Sequence, residues 1–124
     1  PQFLDTTTAQ TEIYPRNHTT SLFQTNNYRT VFIQLEGIQK IVIFNPKQIP
    51  YLYLQNKKSQ VDFWNQNNKL FSKFSKSKYL EIIMRPGTVF YLPNYWCYTK
   101  KSMTDSLSVT LSMDTYLSLL LNKF

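Results

Sequence analysis

The segment Leu107-Ser108-Val109-Thr110-Leu111-Ser112-Met113 alternates strictly between apolar and small polar side chains. A period of two sustained over this length is a β-strand signature, and it puts Ser108, Thr110 and Ser112 together on one face. The runs Val31–Leu35, Ile41–Phe44, Tyr51–Leu54, Tyr79–Met84 and Val89–Leu92 are likewise short and rich in β-branched and aromatic residues. Gly37, between the first two runs, predicts a hairpin, and Arg85-Pro86-Gly87-Thr88 predicts a second turn. Only Asp114–Leu121 has helical spacing, with Asp114 as N-cap before Tyr116, Leu117 and Leu120. A chain of 124 residues has room for one domain. Many short strands separated by turns make that domain an all-β sandwich or barrel. The expected organisation is a polar N-terminal arm over 1–10 and a barrel over 11–124. The barrel carries a polar excursion at 55–78, anchored by Phe63, Trp64, Phe71 and Phe74, and a terminal helix at 114–122.

Scarce residues exclude whole classes of chemistry. Two glycines, Gly37 and Gly87, cannot build a dinucleotide or phosphate-cradling loop. With one His and one Cys the usual Cys/His zinc sites and an internal disulfide are impossible. No apolar run approaches the roughly 18 residues of a membrane span. Pro1–Gln10 lacks the apolar core of a signal peptide, which points to an intracellular chain of unknown compartment. The absence of an initiator Met fits either processing or a fragment. Fourteen Lys and Arg against seven Asp and Glu give a net charge of +7. A single alanine beside abundant Asn, Lys, Phe and Tyr resembles a biased genome, so a solvated Lys-rich surface explains the charge best. Lys69, Lys73, Lys76 and Lys78, interleaved with Phe71 and Phe74, could instead form a nucleic-acid surface. Packing of the two rings on the barrel is the favoured reading. His18 is expected at the surface and Cys97 as a buried thiol. Phe90, Tyr95 and Trp96 are expected in the core.

Two segments are more specific: Val61-Asp62-Phe63-Trp64-Asn65 with Phe71-Ser72-Lys73-Phe74, and Arg85-Pro86-Gly87-Thr88-Val89-Phe90-Tyr91-Leu92-Pro93-Asn94-Tyr95-Trp96-Cys97-Tyr98. Together with Val31–Gly37 and Ile41–Phe44 they resemble the JmjC-like cupin family, the Fe(II)/2-oxoglutarate oxygenases that include asparaginyl and lysyl hydroxylases. The resemblance spans roughly Thr20 to Met113. It implies a double-stranded β-helix, or jelly roll, with its site inside the barrel.

In that family a His-x-Asp…His triad holds iron. The resemblance places the first two ligand positions on Gln24 and Asn26 and the distal one on Tyr98. Two neutral amides and a phenol thus replace two imidazoles and a carboxylate. The co-substrate positions fall on Ser21, Thr30, Gln39 and Ser112, with Gln39 standing for the family's cation. Lys40, one residue on, should point to the opposite face. The expected pocket is therefore lined by small neutral side chains, with no catalytic residue, no metal and no cofactor. The function expected is a non-catalytic domain serving as accessory or scaffolding subunit, with other subunits of an assembly as partners. An oxygenase with atypical ligands, either hydroxylase or demethylase, and a basic nucleic-acid-binding module are the alternatives.

Overall fold

The alternating segment lies in the strand Ser106–Thr115, which is flanked on both sides by antiparallel neighbours. The fold, taken from a computed structural model, describes residues 4–25, 29–65 and 70–115. In chain order the strands are β1 (Leu4–Tyr14), β2 (Phe23–Gln24), β3 (Arg29–Glu36), β4 (Gln39–Phe44), β5 (Leu54–Gln55), β6 (Lys58–Ser59), β7 (Leu80–Met84), β8 (Val89–Pro93), β9 (Cys97–Ser102) and β10 (Ser106–Thr115). They form a four-stranded sheet in the order β1-β10-β3-β8 and a six-stranded sheet in the order β5-β6-β2-β9-β4-β7. Setting aside the small β5–β6 pair, eight strands divide evenly between two facing sheets. That is the jelly-roll arrangement.

Several of the connections that carry the chain from one sheet to the other are short turns. Gly37 lies between β3 in the first sheet and β4 in the second, so the expected hairpin there is corrected to a crossing. Period-two patterning marks a strand but does not say which sheet it joins. Gly37 has φ +74°, and a Cβ on it would stand 2.1 Å from the Asp105 carbonyl oxygen. The Arg85–Thr88 turn also crosses between sheets, as does the β9–β10 connection.

Other expectations change as well: the Tyr51–Leu54 run becomes strand only at Leu54, behind a 3-10 helix over Pro46–Tyr51. The supposed polar arm is largely strand, since Leu4–Tyr14 pairs with β10 down to the register Tyr14↔Ser106. Its Thr-rich composition suits a β-edge even though it lacks apolar content. At the other end, Asp114 is not a helix cap, because β10 continues through Thr115 and Asp114 pairs with Thr6. Tyr116, Leu117, Leu120 and the rest of the expected helix lie outside the described residues.

The β4 run Ile41-Val42-Ile43-Phe44 is buried along its whole length because both of its faces are covered. Ile41 and Ile43 face the barrel interior with Phe32, Met84 and Leu92. Val42 and Phe44 face outward and are covered by Leu22, Leu52, Val61, Phe63 and Phe74. The excursion therefore packs on the six-stranded sheet through the anticipated rings: Phe63 and Phe74 are buried, and Trp64 and Phe71 are half-buried against them. Trp96 and Phe90 pack against the interior cluster. Tyr95, expected in the core, is exposed on a turn with φ +69°.

Replacing Gly37 with Ala is expected to cost about 2–3 kcal/mol, because it adds left-handed backbone strain to a steric conflict with Asp105. The same change at Gly87 meets open space and should cost about 1 kcal/mol. Urea denaturation of the two variants checks the ranking, and equal losses would contradict it.

Candidate functional site

The alternation of β10 is inverted relative to a simple core strand. Ser106, Ser108 and Thr110 are buried inside the barrel, whereas Leu107, Val109 and Leu111 lie on the outer face. The register with β1 sets Glu12 opposite Ser108 and Gln10 opposite Thr110, so the even-numbered residues of β1 face inward with them. On β9, Tyr98 and Lys100 project inward. Cys97 and Thr99 turn to the excursion, Cys97 joining its apolar cluster and Thr99 accepting from the Trp64 indole at 2.9 Å.

These side chains line a cavity of about 380 Å³ that includes Glu12, Tyr14, Gln24, Thr30, Tyr98 and Lys100. At its centre Lys100, only 3% exposed, places Nζ 3.5 Å from a Glu12 carboxylate oxygen. The Tyr14 hydroxyl donates to the other Glu12 oxygen at 2.6 Å, and the Thr110 hydroxyl donates to the first. The ammonium also lies 4.8 Å from the centre of the Phe32 ring. Burial alone would raise the Glu12 carboxyl. The Lys100 charge and the donated hydrogen bonds outweigh it and hold the group below its ordinary 4.5. Burial lowers the Lys100 ammonium against the opposing pull of Glu12. The Tyr98 phenol is pushed up to about 12, first by burial and then by the Glu12 charge, so it stays neutral.

Of the residues singled out from sequence, the cavity gathers Gln24, Thr30, Tyr98 and Ser112. The Gln24 amide donates to the Tyr95 carbonyl at 3.1 Å. Asn26 lies outside the described residues. Ser21 is corrected: it lines a separate surface cleft, and its neighbour Thr20 enters the cavity instead. Gln39 is buried away from the cavity, donating to Ser102 Oγ at 3.2 Å. Lys40 points out to an ion pair with Glu81 at 3.8 Å. The expected all-neutral lining is wrong, because Glu12 and Lys100 bring two charges inside. Sequence reasoning missed both. The signal available was the Glu12–Tyr14 spacing on a strand and the Tyr98–Lys100 spacing on another, each of which puts its pair on one face.

The other sequence candidates are bland in place. His18 is exposed and stacks on Tyr14 at 4.2 Å between ring centres. Cys97 is fully buried, its thiol pushed up to about 12 by burial, hence protonated and unreactive. Lys73, Lys76 and Lys78 are exposed, but Phe74 is buried and Phe71 is packed on the core, so neither ring is free to stack on a base. Lys69 lies outside the described residues. No helix among the described residues is long and apolar enough to cross a membrane.

A jelly roll with an interior polar cavity at these positions defines the cupin class. The profile of the Cupin-like domain family matches residues 2–116, and the chain belongs to that family. It is 34% identical over 65 residues to tRNA wybutosine-synthesizing protein 5 of Gallus gallus, covering 52% of this chain and 20% of that protein. It is also 34% identical over 83 residues to JmjC domain-containing protein D of Dictyostelium discoideum, covering 61% and 18%. The chain thus spans about a fifth of the length of these relatives. Hydroquinone 1,2-dioxygenase from Sphingomonas sp. TTNP3 superposes with a TM-score of 0.59 at 10% identity, covering 88% of this chain and 60% of that one. A cupin superfamily protein from Desulfitobacterium hafniense gives 0.54 at 9% identity, covering 89% and 69%. The chain is a JmjC-like cupin domain.

The iron that the resemblance implies does not fit this cavity. Gln24 and Tyr98 offer a neutral amide and a neutral phenol. The cavity's carboxylate is already held by Lys100, Tyr14 and Thr110. Among the described residues no three His, Cys, Asp or Glu side chains group as a metal site.

Glu12→Gln is expected to destabilise the fold by about 3–5 kcal/mol, since it leaves a buried ammonium without its counter-ion. A second change, Lys100→Met, should recover most of that loss, and a double-mutant cycle on denaturation midpoints measures the coupling. The pH dependence follows from the lowered Glu12 carboxyl. Its contribution is complete above the ordinary 4.5 and is lost as pH falls through its lower folded value. The acid-side loss of stability should therefore shrink in Glu12→Gln.

Proposed function

We propose that this domain is non-catalytic and acts as an accessory or scaffolding subunit of a larger protein assembly. The observation that carries the first half is that Gln24 and Tyr98, on which the resemblance puts two of the family's metal ligands, line the same cavity as a buried ammonium. That donor set supplies no anionic ligand and already contains a cation, so it is poor for Fe(II) chemistry. Fold alone does not fix activity, and here the site argues against the family's reaction.

The second half draws support from the outer surface of the four-stranded sheet. The excursion covers the six-stranded sheet, but on the other sheet Ile13 is 77% exposed, Val89 63%, Tyr91 49% and Leu35 46%. Val31, Ile33, Val109 and Leu111 lie half-buried between them on the same face. A contiguous apolar sheet face of this kind is a protein-interaction surface.

Two measurements test the proposal. The unmodified protein, incubated anaerobically with Fe(II) or Mn(II) and desalted, should retain no stoichiometric metal, and near-stoichiometric metal would sink the non-catalytic reading. In size-exclusion chromatography of native extract the chain should elute with a larger complex. The surface variant Val89→Lys/Tyr91→Glu should fall to monomer size while the cavity variant Gln24→Ala stays with the complex. A monomeric unmodified chain would overturn the assembly role.

A further inference from the structure

The cavity holds one ammonium and one carboxylate, and their placement says more than the loss of ligands does. Lys100 and Tyr98 sit two residues apart on β9 and share its inward face. They also share a neighbour: the Phe32 ring is 4.8 Å from Lys100 Nζ and 5.0 Å, centre to centre, from the Tyr98 ring. The fixed positive charge therefore stands one aromatic ring away from a position where the family resemblance expects a metal ligand. Both oxygens of Glu12 are committed, one to Lys100 and Thr110, the other to Tyr14. Glu12 comes from β1 at the edge of one sheet and Lys100 from β9 in the middle of the other, so the pair spans the barrel interior.

We infer that Lys100 is the barrel's resident interior cation, and that by occupying Glu12 it bars divalent metal from the cavity even when the lost ligands are restored. The inference rests on the non-catalytic reading and extends it. The barrel has not simply lost a metal site, because a side-chain charge bridges its two sheets and the cavity's carboxylate is spent on that bridge. A metal ion entering beside Gln24 and Tyr98 would meet a like charge at low dielectric and find the cavity's carboxylate, Glu12, already paired.

The test compares Mn(II) affinities in a ligand-restored background, Gln24→His/Asn26→Asp/Tyr98→His, measured by titration under anaerobic conditions. With Lys100 in place, restoration should give little or no gain over the unmodified chain. Adding Lys100→Met alone should tighten binding by at least about tenfold, because it removes one like-charge repulsion and frees Glu12 to serve the metal. Adding Glu12→Gln as well removes a net-neutral pair, leaves no unpaired ion to disrupt folding, and should give that gain back. Equal Mn(II) affinity with and without Lys100, whether both strong or both undetectable, overturns the inference. Metal uptake by the unmodified chain is the separate result that would count against the non-catalytic reading.

Discussion

The Glu12–Lys100 pair is the constraint around which the interior is arranged. Removing two charges from water costs several kcal/mol per ion, and their mutual attraction repays this only with good supporting contacts. Those contacts are present: Tyr14 and Thr110 donate to the carboxylate, and Phe32 offers its face to the ammonium. Each comes from a different part of the barrel wall, with Tyr14 on β1, Thr110 on β10 and Phe32 on β3. The pair thus fixes the position of an edge strand against a central strand of the opposite sheet. A hydrophobic pair of similar volume could stabilise the fold as well or better, so the charges are better understood as specifying which strands meet than as adding net stability.

The inverted polarity of the four-stranded sheet follows from the same choice. An interior that holds an ion pair needs hydroxyls around it: Thr110 donates to Glu12 and Thr30 lines the same cavity, while Gln34, Ser106 and Ser108 continue the buried polar wall along β3 and β10. The apolar members of the same strands are thereby turned outward. On the opposite sheet the outward apolar residues Val42, Phe44 and Cys97 are covered by the excursion, whose rings contact Phe44 at 6.1 Å from both Phe63 and Phe74. One sequence insertion between β4 and β7 therefore accounts for the asymmetry between a sealed face and an open one.

How much of this was legible depended on the range of the physics involved. The strands at Val31–Leu35, Ile41–Phe44 and Leu107–Met113 were readable because side-chain alternation is local. The partners of β3 and β4 were not, because Gly37 permits both a hairpin and a sheet crossing, and the strands they pair with, β8 and β10 for β3 and β7 and β9 for β4, are distant in sequence. The family resemblance led to Gln24 by counting back from Gly37 and to Tyr98 by the motif that runs through Pro93 and Trp96, and both side chains line the cavity. Glu12 and Lys100 escaped because their meeting requires two strands from opposite ends of the chain. Lys100 also sat beside Lys101 in a chain whose lysines read as solvated, and only burial separates the two. Ser21 precedes β2 in irregular backbone, where no alternation says which of Thr20 and Ser21 faces the cavity.

The open face and the filled cavity are linked through β10. Substituting Thr110 with an apolar residue would ease burial of the interior but would take from Glu12 one of its two hydroxyl donors. Substituting Val109 or Leu111 with polar residues would quiet the outer face at no evident cost to the cavity. The chain retains the apolar residues where solvent would favour polar ones, and polar residues where a core would favour apolar ones. The first pattern makes physical sense when the outer face is covered by other protein surface. The second makes sense when the interior is organised around its own ion pair. Both patterns alternate along a single strand, so β10 couples the solution inside the barrel to the surface presented outside it.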